Sequence, residues 1–443
     1  MNKTLDVIAL RALCKASHLA KRVLHQGGYF MGRVENKATR LIDRRTGTAG
    51  EGIPIDSVVG NAFHKITPIF PALPAIGQKP AVVVFAFLAP RGFYGGIATL
   101  LRVAGHLADK LGYDLKIVQT TGFSKKTAVL DFLKEDGIVI PEPRFINLDA
   151  STRHPGKSFN LPLHPDDIVV VSAWWDAYVA SLLPLQRKFL YLLQDYEPIF
   201  YNNSDSSVFA SQTYLAEKFV PLCNTELLYD FFSQNGYDYI KKNGTWFEPA
   251  PVPKGAKPQP QKSNGGRRRS MFIYGRPDVH RNLYYNALRA VNLAMKDERL
   301  EGMQWNLCTA GQADLCDVRL DSGDIIKNFG KLPKNEYYRF VSNVDVALSP
   351  MLAPHPNYPT LELAFLGAMV VTTKYANKQD LSRYSKNILM AGPNAESMAE
   401  KLVEAMLTSD EVRLDNLKHT TIGNDWGKAL DEPLNRIIKK YRS

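Results

Sequence analysis

The chain has 443 residues, 45% of them hydrophobic and 22% charged, the profile of a soluble globular protein with room for two domains and extensions. No apolar run approaches the roughly 20 residues that a membrane-spanning helix needs, and no continuous apolar stretch before a small-residue cleavage site marks a secretory signal. The formal net charge is +11, from 55 basic and 44 acidic residues, which points to an anionic partner: nucleic acid, anionic lipid or a nucleotide derivative.

That charge is uneven. Residues 1–45 hold ten Lys or Arg and three acids, so +7 of the +11 sits in the first tenth of the chain. Within them Val7, Leu10, Leu13, Leu19, Ala20, Val23 and Leu24 recur at helical spacing, with Lys15, Lys21 and Arg22 between them. A basic amphipathic helix of this kind suits an anionic membrane surface or a protein partner equally. Residues 46–60 are Gly-rich and polar and read as a linker. Residues 1–75 are therefore expected to be a basic N-terminal extension.

From residue 76 to 248 the pattern predicts an α/β domain. Ala81–Leu88 is a continuous apolar run, followed by the loop Pro90–Gly96 and a helix through Ala98–Leu111; further strands are Leu115–Gln119, Ile168–Val171 and Phe189–Leu193. Continuous rather than alternating apolar strands, separated by helices, indicate a parallel sheet covered on both faces. Residues 249–270 then interrupt the pattern with five prolines, three glycines and six basic residues, and read as an exposed interdomain linker in which Arg267, Arg268 and Arg269 are solvated.

A second α/β unit spans 271–427. Its predicted strands are Met271–Tyr274, Trp305–Thr309, Asp324–Phe329, Asp345–Ser349 and Met369–Thr373. Its predicted helices are Leu283–Met295, Asn335–Val341, Thr360–Gly367 and residues 394–407, and residues 428–443 supply a closing helix. Cys14, Cys223, Cys308 and Cys316 form no C-x-x-C pair, so they read as small buried hydrophobes in a reducing compartment rather than as zinc ligands.

Four motifs carry chemistry. Gly95 and Gly96 follow the first strand and open a helix, where missing side chains and the positive helix end favour an anion; a tight strand-to-helix turn explains them as well. Gly275-Arg276 and Arg281 sit on a loop at the C-terminal end of a strand, the edge at which doubly wound folds bind ligands. Two guanidinium groups there match phosphate oxygens. The third motif runs from Ser349 through His355, Asn357, Tyr358 and Thr360 to Glu362, a strand end, a proline-rich loop and a helix start. Free N–H groups at that start are expected to face a diphosphate, with Glu362 on a sugar hydroxyl of the nucleotide; a favourable interaction with the helix dipole also accounts for a Glu there. The fourth is Asp195 and Glu197 after the strand Phe189–Leu193, a tandem that can hold a metal, contact sugar hydroxyls or cap the structure. Trp174-Trp175-Asp176 ends at the same face.

Arg276, Arg281, Ser349, Pro359 and Glu362, in this order, resemble the C-terminal half of the retaining GT-B glycosyltransferases. Leu361-Glu362-Leu363-Ala364 and Gly367 match that family's L-E-A-x-x-x-G block, and Gly95-Gly96 its N-terminal glycine pair. The family's first glutamate falls at Pro354, so its contact to the donor sugar is missing or replaced, with His355 the candidate. The segments Gln194–Tyr201, Ser349–Pro359 and Thr373–Lys378 are similar to the WsaF-type rhamnosyltransferases of bacterial surface-glycan assembly.

The resemblance covers residues 80–430. It implies two Rossmann-like domains facing a cleft, acceptor on the N-terminal side and nucleotide sugar on the C-terminal side. It implies a donor such as dTDP-L-rhamnose, a lipid-linked or polymeric glycan as acceptor, and catalysis without cofactor or metal; a different nucleotide-sugar donor or a non-catalytic glycan-assembly scaffold is the alternative. Arg276 and Arg281 would stabilise the departing diphosphate, and Asp195 and Glu197 would serve the acceptor side. Gly95, Gly96, Gly275, Ser349, His355, Asn357, Tyr358, Thr360 and Glu362 would line the substrate site. The expected location is cytoplasmic, with residues 1–45 available for the inner face of the membrane or a glycan-assembly partner. No nucleic-acid motif is present, and the excess charge lies in the tail and linker, so nucleic acid is not expected as a partner.

Overall fold

The computed structural model describes residues 55–88, 95–121, 124–135, 143–148, 160–254, 256 and 268–442. The chain forms two compact units, divided between Ala62 and Phe63. The described part of the first unit is a helix, Ile55–Ala62, at the end of the stretch read as linker. The amphipathic helix expected over residues 5–25 lies outside the described residues. The main unit begins earlier than residue 76, because Ile66 and Ile69 are buried and β1 (Phe70–Ala72) pairs in parallel with β5 (Asn160–Pro162).

The main unit contains two seven-stranded sheets. The first uses β2 (Ala81–Phe87), β3 (Asp114–Thr121), β4 (Arg144–Asn147), β6 (Ile168–Val171), β7 (Phe189–Leu193), β8 (Phe219–Asn224) and β9 (Thr245–Phe247). It is parallel throughout and ordered β4-β3-β2-β6-β7-β8-β9. Every residue of β6 and β7 is buried, as continuous apolar runs require when helices cover both faces. Val82, Val84, Leu190 and Leu192 face one core layer, and Val83, Phe85, Phe189 and Tyr191 the other.

The second sheet uses β10 (Arg269–Tyr274), β11 (Trp305–Ala310), β12 (Val318–Arg319), β13 (Ile325–Asn328), β14 (Val346–Leu348), β15 (Met369–Thr373) and β16 (Ile388–Ala391). Its order is β12-β13-β11-β10-β14-β15-β16, parallel except for the pair β12–β13. In both sheets the strand order reverses at an inner pair, β2–β6 and β10–β14. A crevice opens beyond the carboxyl ends of the strands at such a point. The loops that carry the candidate motifs leave these strands and their neighbour β7.

Two elements differ from their sequence reading. Arg269 is not solvated linker: it starts β10, its guanidinium lies over the Trp305 ring, and it donates to the carbonyls of Met406 and Thr408. The helix Trp426–Arg442 does not close the second domain. Its apolar side, Leu430, Leu434, Ile437 and Ile438, packs into the core of the first, beside Val103 and Leu107.

Candidate functional site

The arginine loop leaves β10 at Tyr274. Gly275 is there for close packing, since a Cβ would lie 2.2 Å from Thr309 Oγ1. Arg276 is half-buried and directs Nη1 toward the Tyr274 hydroxyl at 3.4 Å. The turn His280–Asn282 presents Arg281 and is closed by Leu283 at φ 49°. A bulky residue in the left-handed region costs on the order of 1–3 kcal/mol. The bond from Leu352 N–H to the Arg281 carbonyl, 2.8 Å, helps to hold this turn.

Arg281 reaches across to the first domain. Its Nε lies 3.3 Å from Asp195 Oδ2, and its guanidinium sits 4.0 Å over the Phe200 ring. His355, from the loop after β14, brings Nε2 to 3.6 Å from the same carboxylate oxygen. Asp195 and His355 are both buried. Burial pushes the Asp195 carboxyl up, but His355, Arg281 and the Tyr196 N–H together outweigh it and hold the group below its ordinary value. Asp195 Oδ2, Arg281 Nε and His355 Nδ1 have no hydrogen-bond partner among the described residues. Asp195 Oδ2 and Arg281 Nε are ion-pair partners at 3.3 Å, so what this cluster lacks is close hydrogen-bond geometry rather than opposite charge.

A further titratable group lies beside them, one that the sequence motifs assign no role. Lys378 is fully buried and donates from Nζ to the Met351 carbonyl at 2.9 Å. Burial pushes its pKa down to about 7, opposed by the nearby charge of Asp195. No periodicity singles out a buried lysine in a turn. The signal was its place in the Thr373–Lys378 segment.

The segments that lead to Arg276 and towards Glu362 leave the same sheet edge, since β10 and β14 pair directly with Ile273 opposite Leu348. Glu362 Oε1 accepts from Tyr338 at 2.9 Å and Oε2 from Tyr337 at 3.2 Å. Tyr274, the partner of Arg276, lies near enough to Tyr337 to act on its ionisation.

The rest of the third motif is structural in its bonding. The helix starts at Tyr358, and Asn357 Oδ1 caps it by accepting from Thr360 N–H at 2.9 Å. Asn357 Nδ2 reaches Ser349 Oγ at 3.1 Å, and the Ser349 carbonyl accepts from the Thr372 hydroxyl at 2.8 Å and from that of Thr360 at 3.4 Å. The helix start therefore offers fewer N–H groups to an anion than a plain helix end would, those of Asn357 and Tyr358 being the ones left among the described residues. Pro359 has none, Thr360 N–H is taken by the cap, and Leu361 N–H bonds the Asn357 carbonyl.

Tyr358 instead crosses to the first domain, with its hydroxyl 2.9 Å from Thr99 Oγ1 and 2.8 Å from Asn224 Nδ2. Its ring would lie 3.1 Å from a Cβ on Gly95, and the Gly96 carbonyl accepts from Gln194 at 2.9 Å. The glycine pair thus admits protein groups. Glu197 shares the strand end with Asp195 but turns to accept from Trp174 N–H at 3.1 Å. Burial, reinforced by Asp195 and Asp176, pushes its pKa up to about 8.

The two halves also meet on a second side. Arg383 bonds Glu226 at 2.6 Å and Glu248 at 3.0 Å, and Tyr384 donates to Glu248 at 2.7 Å. A cavity of about 270 Å³ beside them is lined by Glu226, Trp246, Glu248, Leu361, Arg383 and Tyr384. None of the candidate site residues lines it.

The model of the family described as "WsaF, N-terminal domain" matches residues 83–226, and that of "WsaF, C-terminal domain" matches residues 269–403. Together they span more than half of the chain. The O-antigen biosynthesis protein RfbC of Myxococcus xanthus is 28% identical over 345 residues, 76% of this chain and 25% of that protein. This chain thus spans about a quarter of that relative's length. The solved structure of WaaG, a glycosyltransferase involved in lipopolysaccharide biosynthesis, is similar with a TM-score of 0.52 and 14% identity, covering 80% of this chain and 99% of that one. An E. coli structure described as trehalose-6-phosphate bound with UDP-2-fluoro glucose has a TM-score of 0.50 and 11% identity, covering 82% and 97%. At these identities the structural likenesses carry the fold alone, and it is the GT-B layout of two facing Rossmann-like domains.

Proposed function

This chain belongs to the WsaF family of GT-B glycosyltransferases, and on that premise we propose that it transfers L-rhamnose from dTDP-L-rhamnose to a growing bacterial surface polysaccharide. One observation carries the reading. Arg281 and His355 from one domain converge on a buried carboxylate, Asp195, from the other, at distances too long to satisfy their hydrogen-bonding capacity among the described residues.

The donor diphosphate would lie along the edge of the second sheet, against Arg276 and Arg281. The bond from the anomeric carbon to the phosphate oxygen breaks, the acceptor hydroxyl oxygen bonds that carbon, and its proton passes to the departing phosphate. The arginines stabilise the charge that develops on the leaving group, where fixed positive groups contribute most. With the helix start already capped, the arginines take the larger share. Glu362 would accept from the 3′-hydroxyl, the only free hydroxyl on the sugar of a thymidine nucleotide, by exchanging a tyrosine partner for it. Asp195 and Glu197 serve the acceptor side. The surface-glycan setting draws on the Myxococcus xanthus relative, an O-antigen biosynthesis protein. The basic segment 1–45 would bring the enzyme to the anionic inner face of the cytoplasmic membrane or to an assembly partner.

The test is a panel of nucleotide sugars read by thermal shift and by product formation, with and without EDTA. A ligand at 100 times its Kd stabilises a fold by about 2.7 kcal/mol. dTDP-L-rhamnose should give the largest shift and turn over in the chelator. A larger shift with another donor would reassign the sugar, and loss of turnover restored by Mn or Mg would move Asp195 and Glu197 to metal binding.

A further inference from the structure

The turn after β15 touches three parts of the cleft at once. Tyr375 and Lys378 pair their backbones across it, and Ala376 is held in the left-handed region at φ 44°. Asn377 Nδ2 donates to the Leu227 carbonyl of the first domain at 2.7 Å. Lys378 Nζ donates to the Met351 carbonyl, four residues before His355, and is close enough to Asp195 for that charge to act on it. With 1% of its surface exposed, Lys378 is not a solvated surface charge, and burying its amine costs free energy whether it stays charged or gives up its proton. Among the described residues the Met351 carbonyl is the one acceptor bonded to its ammonium.

We propose that Lys378 is a positioning residue for glycosyl transfer: it fixes the loop 349–357 against the first domain and so sets His355 at Asp195. The assignment rests on the glycosyl-transfer reading above. Lys378 acts through other groups and need not touch donor or acceptor. The Met351 bond holds one end of the loop and the His355 contact to Asp195 the other. Asn377 ties the same turn to the first domain, so closure of the two halves and the shape of this loop are linked through two adjacent residues.

The test compares Lys378→Met, which keeps the stem and removes the ammonium, with Asn377→Ala, which releases the turn from Leu227 and leaves Lys378 in place. dTDP binding, kcat, KM for dTDP-L-rhamnose and Tm are measured on the full chain. Lys378→Met should lower kcat on the order of ten- to a hundredfold, as small misplacements in a site do. Its dTDP affinity should stay within about threefold of wild type, a difference under 1 kcal/mol. Asn377→Ala should lower kcat in the same direction by less. Unchanged kcat in both variants overturns the proposal. So does a fall in Tm with kcat of the folded enzyme intact, which a purely structural lysine would give. If Lys378→Met does not fold, unchanged kcat in Asn377→Ala alone overturns it. Failure of wild type itself to bind dTDP or turn over would instead count against the glycosyl-transfer reading.

Discussion

The two halves of the molecule are joined by two ionic clusters that differ in one respect. At the side of Arg383 every group is matched: Nη1 on Glu226, Nη2 on Glu248 and on the Tyr384 hydroxyl, which itself donates to Glu248, while Glu248 also accepts from the Glu226 N–H. The Arg383 side chain is 42% exposed, so solvent reaches this cluster. In the cleft the contacts are longer, the Asp195 side chain is only 7% exposed, and three polar atoms make ionic contacts or none but no hydrogen bond among the described residues. On the proposed function the satisfied cluster holds structure, and the buried, incomplete one would complete its hydrogen bonds with a ligand.

Substitutions should separate the two. Arg281→Ala should lower turnover by about 10²- to 10³-fold, the usual cost of removing one stabiliser of transition-state charge, with a smaller loss of dTDP affinity. Steady-state kinetics beside calorimetry reads both, and a variant that loses affinity alone would reduce Arg281 to a binding residue. Glu362→Ala should weaken dTDP binding by roughly ten- to a hundredfold, since a hydrogen bond to a charged group is worth about 1.5–3 kcal/mol. Equal dTDP affinity would leave Glu362 to its two tyrosines.

Glu197 offers a test by pH. Its pKa rises from 4.5 to about 8 on folding, so between those values the native state binds the proton and the unfolded state releases it. Stability then falls as pH rises through this window. Melting curves from pH 5 to 8 should show that decline, and Glu197→Gln, which stays neutral, should flatten it. A wild-type Tm that climbs across the window would mean Glu197 is ionised in the fold. The smallest effect belongs to the Arg383 side. Arg383→Ala should cost no more than about 1 kcal/mol, as exposed ion pairs do, and leave kcat unchanged. A large loss of activity there would end the contrast between the clusters.

Parts of this were legible in the sequence for a physical reason. Ile168–Val171 and Phe189–Leu193 were read with their final bounds because a strand buried on both faces is an unbroken apolar run. Phe219–Asn224 was missed because Pro221 argues against a central strand; Pro221 pairs with Tyr191, and pairing with β9 begins one residue later, at Leu222. The helix Trp426–Arg442 showed its apolar side but not which core would receive it. At the site, Arg281, His355 and Asp195 could each be picked out by residue type and loop position. That they meet at one carboxylate oxygen, and that Lys378 is buried beside them, depends on how two domains face each other, which no local pattern encodes.

The central claim is that the nucleotide diphosphate binds at the edge of the second sheet facing the cleft. A crystal structure of the full chain with dTDP tests it most directly. The account predicts the diphosphate within hydrogen-bond reach of Arg276 and Arg281, with the 3′-hydroxyl on Glu362. Density for dTDP in the cavity between Glu248 and Arg383, with Arg281 still on Asp195 and Glu362 still on its tyrosines, would contradict it.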